Sequence, residues 1–180
     1  MNLLPELEGD VPIRSSGERF LEKFRARVNA GLLSGRPESR SNYTIGAASP
    51  GRLEILAADW ATATNVGLNR IELQQLQPGV IRYHVTYWRW ARFALALSGG
   101  MGLAGVVMLL AFDARAYIAR HPDSMMPGLS VDQNFAVAWL MVAFWGFIWP
   151  WLLISMHKRP LHRLVTHLIT EVDRDQRSSV

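Results

Sequence analysis

The chain has 180 residues, 49% of them apolar and only 19% charged, and its 19 Lys and Arg outnumber 15 Asp and Glu for a formal charge of +4. That balance is too apolar for an ordinary soluble domain and too polar for a chain embedded throughout in lipid, so a division into parts is expected. Cysteine is absent, which excludes disulfides, thiolate metal sites and cysteine nucleophiles.

The opening MNLLPELEGD is acidic and has neither the basic nor the long apolar region of a signal or transit peptide. Pro5, Gly9 and Pro12 predict an extended N-terminal arm over 1–14. Ser15 and Glu18 have the spacing of a capping box. Phe20, Leu21, Phe24, Val28 and Leu32 then recur at helical intervals, so an amphipathic helix is expected to end between Gly31 and Gly35.

From Asn42 the period shortens to two, with Pro50-Gly51 and Pro78-Gly79 as turns, and strands are expected near 43–48, 52–58, 60–66, 70–76 and 80–87. In the last of these, Ile81, Tyr83, Val85 and Tyr87 share one face while Arg82, His84, Thr86 and Trp88 share the other, the alternation of a half-buried antiparallel strand. Residues 15–88 therefore read as a small cytosolic α+β domain, one helix packed on an antiparallel sheet.

At YWRWARFALALSGG, which begins at Tyr87, the character changes. Uncharged runs of 20 residues (Phe93–Phe112) and 22 residues (Phe135–Met156) follow. At 1.5 Å per residue each is long enough to cross a hydrocarbon core of about 30 Å. They predict transmembrane helices over 89–113 and 133–157, joined by an external loop over 114–132. Lys and Arg number 12 before the first run, 2 between the runs and 5 after the second. By the positive-inside rule this hairpin sits in the cytoplasmic (inner) membrane with both termini cytoplasmic.

Arg89 and Arg92 precede the first run, and Lys158, Arg159 and Arg163 follow the second. With Trp88 and Trp90 they are expected at headgroup level, the sheet held close to the bilayer by a junction of one or two residues. Basic residues gathered at span borders give no nucleic-acid patch. Ala94, Ser98 and Gly102 put small residues at four-residue steps along the first span, a strip on which another helix can approach. The second span is bulky and aromatic, and Pro150 removes the amide that would bond the Gly146 carbonyl. After it, 158–180 reads as a basic amphipathic helix and tail that starts at Pro160. Its stripe of Leu161, Leu164, Val165, Leu168, Ile169 and Val172 is expected either in the membrane interface or on the cytosolic domain.

Neither uncharged run holds a histidine, which argues against a carrier, a pore or a histidine-ligated cofactor built from one chain. His157, His162 and His167 recur every fifth residue, a rotation of about 140° per step on a helix, and so share no face suited to a metal. Glu171-Val172-Asp173-Arg174-Asp175 reads as a solvated helix end. No phosphate loop, dinucleotide glycine pattern, nucleophile elbow or zinc-protease motif occurs. Catalytic, cofactor-binding and metal residues are therefore left unassigned.

The expectation is a non-catalytic accessory or assembly subunit of a larger cytoplasmic-membrane complex, with respiratory and photosynthetic electron-transfer complexes as candidate hosts. Its partners would be other membrane-protein subunits and lipid, and any pigment or cofactor would be met through those subunits. The alternative is a membrane-anchored signalling or regulatory protein whose cytosolic domain binds a ligand or a protein.

Overall fold

In the computed structural model, the described residues are 4–33, 42–121 and 126–174. Part of the loop expected to be external and the tail from Asp175 lie outside them. The chain forms two compact units, one of residues 1–92 with 155–180 and the other of residues 93–154.

The first unit is built on a five-stranded antiparallel sheet of β1 (Glu6–Pro12), β2 (Tyr43–Ser49), β3 (Arg52–Ala57), β4 (Arg70–Gln77) and β5 (Val80–Thr86), in the order β1-β5-β4-β3-β2. Alternation sends Leu53, Ile55, Ile71, Leu73, Ile81, Tyr83 and Val85 to one face, where none is more than 2% exposed. Helix α1 (Gly17–Asn29) covers this face with Phe20, Phe24 and Val28. Leu161, Val165, Leu168, Ile169 and Val172 of the last helix, α6 (Trp149–Arg174), complete the core. Burying each of those five is worth about 1.5–3 kcal/mol, so the C-terminal stripe is part of the core of the domain.

The same burial explains why no new helix begins at Pro160. Proline inside a helix costs about 3 kcal/mol, less than the side chains on either side of it recover, and α6 runs unbroken past it.

Other expectations are corrected. The N-terminal arm is a sheet strand: β1 pairs with β5 from Glu6↔Thr86 to Pro12↔Val80. Its prolines sit where an edge strand tolerates them, with Pro12 the last residue, and Gly9 leaves the space that the Tyr83 ring occupies. The expected strand at 60–66 is instead α2 (Trp60–Asn65), because Asp59 caps it by accepting from Thr62 N at 2.6 Å. Ser15 forms no capping box: Ser16 is the N-cap of α1, without a side-chain cap, and Ser15 hydrogen-bonds elsewhere.

The second unit takes in most of α3 (Trp88–Ala111), then α4 (Ala114–Arg120), α5 (Val131–Ala143), a π-helical turn (Phe144–Ile148) and the start of α6. A short helix thus occupies part of the expected external loop, capped by Asp113. Ser130 and Gln133 make a full capping box at α5. Asn134 of α5 accepts from Met126 N at 2.9 Å and donates to the Ser130 carbonyl at 3.0 Å.

The π turn lies directly before Pro150 and gives the Trp149 amide to the Phe144 carbonyl. Within that turn Gly146 meets Gly102 of α3 so closely that a Cβ built on Gly102 would lie 2.7 Å from Gly146 Cα. Two helices are long and apolar enough to cross a membrane: α3, and the run from α5 through α6. Only 11% and 17% of their most apolar windows are buried, whereas a helix from a soluble core is mostly buried.

Candidate functional site

Among the described residues no three His, Asp or Glu side chains gather where a metal ion would fit. The three regularly spaced histidines go to three different partners. His157 stacks on Trp90, His162 hydrogen-bonds with the Tyr83 hydroxyl, and His167 lies 4.0 Å from Glu171. Burial raises the Tyr83 phenol above its ordinary range, and it drives that of Tyr87 up to about 12. Both phenols are therefore neutral near neutral pH.

The structure concentrates its polar connections at the end of the sheet where α3 begins. Asn69, which opens β4, uses four groups there. Its backbone N donates to Thr86 O at 3.0 Å and its O accepts from Ala57 N at 3.0 Å, closing the ends of β5 and β3. Its Nδ2 donates to Ala63 O at 3.1 Å, which ties down α2. Its Oδ1 accepts from Arg89 N at 2.7 Å and so satisfies one of the orphan amides of the first turn of α3. A side chain from another strand thereby does the work of a local cap.

Beside this hub, Trp90 of α3 and His157 of α6 stack with ring centroids 4.0 Å apart and planes 5° from parallel, and Tyr87 meets His157 edge-on at 5.6 Å. Gly67, with φ at +82°, leaves room for His157 Nε2, and a Cβ at position 67 would collide with that atom. The first turn of α3, the α2–β4 loop and the middle of α6 are thus bound to one another by aromatic and backbone contacts.

The far end of α6 is held differently. The Asp173 carboxylate accepts from Arg14 N at 3.0 Å, Ser15 N at 3.2 Å and Ser15 Oγ at 2.8 Å, and Glu171 pairs with Arg27 of α1 at 3.2 Å. The acidic stretch at this end therefore clamps the β1–α1 loop and is not simply solvated.

The outward face of the sheet is a ladder of paired charges. Arg52 meets Glu72 at 2.7 Å, Arg70 meets Glu54 and Glu72 at 2.7 Å, and Arg82 meets Asp10 at 2.8 Å. The hydrogen bond from Arg82 holds the Asp10 carboxyl below its usual range.

Of the residues expected at the membrane interface, Trp88, Arg89, Arg92, Arg159 and Arg163 are exposed, while Trp90 and Lys158 are half-buried. Trp90 stacks on His157, whereas Trp88 directs its indole N–H to Glu6 at 3.4 Å. Of the small-residue strip, Gly102 makes the close approach to Gly146, Ser98 is half-buried and Ala94 is 9% exposed. Gly105, which the four-residue spacing skips, makes a second close approach at Val142.

Asn69 and Gly67 are marked by no local pattern, and Asp173 falls in the acidic stretch that reads as a solvated helix end. Their partners lie elsewhere in the chain, and a polar residue at the end of a strand gives no signal of what it will bond. Compared with known protein families, curated proteins and solved structures, the chain matches none.

Proposed function

We propose that the chain is a non-catalytic accessory or assembly subunit of a larger cytoplasmic-membrane complex, anchored by a two-helix hairpin with both termini on the cytoplasmic side. The observation that carries this reading is the way the side chains are used. Half-buried polar side chains in the sheet domain, Asn69 and Asp173 among them, hold its elements together, and neither Phe93–Phe112 nor Phe135–Met156 contains a charged residue. In this reading the chain contributes surface and position to the complex.

The exposed apolar surface of the second unit supports the same reading. Met101, Leu103, Leu110 and Leu140 are 63–72% exposed, and Trp145 is 47% exposed. In a membrane such surface faces lipid or a neighbouring subunit, and it includes a groove lined by Trp145, Trp149 and Gly102. The few positive charges between the helices, against many on the flanks, support cytoplasmic termini.

The test is affinity purification of the tagged full chain from native membranes in mild detergent, read by mass spectrometry. Stoichiometric recovery of other integral membrane subunits is expected. Recovery of the chain alone, or with a released small ligand, would replace this reading with that of a regulatory protein.

A further inference from the structure

We infer that the end of the sheet domain from which α3 emerges is a seat for an anionic phospholipid surface, with α2 dipping its Trp60 into the headgroup layer. The inference rests on the reading of the apolar helices as membrane spans, and it adds a lipid preference and a new element, α2, to that reading.

The sheet's own arginines define a contrast. Arg52, Arg70 and Arg82 each have a carboxylate within 2.8 Å. Arg89 and Arg92 of α3 and Arg159 and Arg163 of α6 are exposed and have no acidic partner among the described residues. The Trp90–His157 stack joins the first turn of α3 to α6; in sequence Arg89 and Arg92 flank Trp90, and Arg159 and Arg163 follow His157 by two and six residues.

Exposed apolar side chains accompany them. Trp60 is 59% exposed, Leu4 is 50% and Trp88 is 38%. All three lie at this end of the domain. Tyr87 N donates to Pro5 O at 2.9 Å, next to Leu4, and Asn69 links α2 through Ala63 O and α3 through Arg89 N. Unmatched guanidinium groups beside tryptophans form the combination that suits a phosphate-rich interface, because the cation meets phosphate and the amphipathic ring sits at the border of the acyl region.

Continuity identifies the occupant as lipid. Arg92 is followed at once by Phe93, the first residue of one uncharged run, and Met156, the last residue of the other, precedes His157 and Lys158. A surface rooted this close to two membrane-crossing helices lies where headgroups already are.

The experiment uses the full chain, free of cysteine, with Ala61→Cys next to Trp60 or Ala48→Cys near the β2–β3 turn at the other end of the sheet. Each is labelled with an environment-sensitive fluorophore and reconstituted into nanodiscs of phosphatidylcholine with or without about one-third phosphatidylglycerol. The discs carry a headgroup nitroxide lipid as quencher. Strong quenching at position 61 and little at position 48 is expected, greater with phosphatidylglycerol and reduced by high salt. Replacing Arg89, Arg92, Arg159 and Arg163 together with Gln should lower quenching at 61 to the phosphatidylcholine level, and replacing them with Lys should restore it.

Equal quenching at 61 and 48, or quenching at 61 indifferent to both phosphatidylglycerol and the Gln replacements, would overturn the inference. Failure of the chain to enter nanodiscs would overturn it together with the span reading. A chain without partners in affinity purification would leave the quenching result untouched, so the subunit reading fails separately.

Discussion

Gly102→Leu is the sharpest perturbation of the apolar helices. A Cβ at this position would lie 2.7 Å from Gly146 Cα and 3.4 Å from the Phe147 ring. Carbon atoms rest comfortably at about 3.5–4.0 Å, so even a methyl group pushes the backbones apart by about 1 Å, and a leucine by more. The substitution prises open a helix crossing that depends on small residues, and overpacking of this kind costs about 1–3 kcal/mol. Leucine is as compatible with lipid as glycine, so insertion should be unaffected. Gly99→Leu is the matched control on the same helix, since nothing lies within 4 Å of a Cβ there. Thermal unfolding of the purified chain in mild detergent should show Gly102→Leu losing stability by that amount and Gly99→Leu behaving as wild type. If the two variants unfold alike, the Gly102–Gly146 crossing does not hold the helices, and the reasoning fails.

Asn69→Ala removes two side-chain hydrogen bonds, one of them the cap that the sheet offers to α3, and should cost about 1–3 kcal/mol in chemical denaturation of the full chain; a loss below about 0.5 kcal/mol would show the hub to be dispensable. Asp173→Asn keeps the shape of the clamp but removes its charge and part of its accepting capacity, and should cost about 1–3 kcal/mol and increase proteolysis at the β1–α1 loop. Because burial raises the folded-state pKa of Tyr87 to about 12, its share of stability is intact below the ordinary tyrosine value of about 10 and is lost as pH rises toward the folded value. Phenolate absorbance should accordingly show late titration that Tyr87→Phe reduces, and four tyrosines titrating together near 10 with the fold intact would contradict this. For the topology, a cysteine at Met126 should react in intact cells with an impermeant thiol reagent and one at Ala48 should not; the reverse pattern would invert the hairpin.

What the sequence revealed follows the range of each signal. The alternation of Ile81, Tyr83 and Val85 and the apolar runs are local and dense, and the structure keeps them as β5 and as two long apolar helices. In β1 the alternation of Glu6, Glu8 and Asp10 with Leu7, Gly9 and Val11 was present but masked by Pro5, Gly9 and Pro12, residues that usually break strands and that an edge strand accepts. In α2, the β-branched and aromatic residues of WATATNV suggest a strand, yet one cap at Asp59 decides for helix, and Thr64 turns its hydroxyl back to the Trp60 carbonyl. The Pro160 helix start was plausible by position, but burial on both sides of it outweighed the local rule.

The candidate site was legible only in part. The cations and tryptophans at the span borders stand out by position, whereas the stack of Trp90 on His157 joins residues 67 apart. The Tyr83–His162 contact spans 79 positions and the Ser15–Asp173 bond spans 158. Such pairs are set by how α6 returns to the sheet, and no spacing rule within one element contains that information.

The central claim, that this chain serves as a subunit of a larger membrane complex, is tested most directly by the mass of the particle that carries it. Membranes should be extracted gently and the tagged 20.3 kDa chain followed by native mass spectrometry. The account predicts a particle several times heavier than the chain, containing different integral membrane proteins in fixed ratio. A particle made only of this chain, as a monomer or a small oligomer, would contradict it.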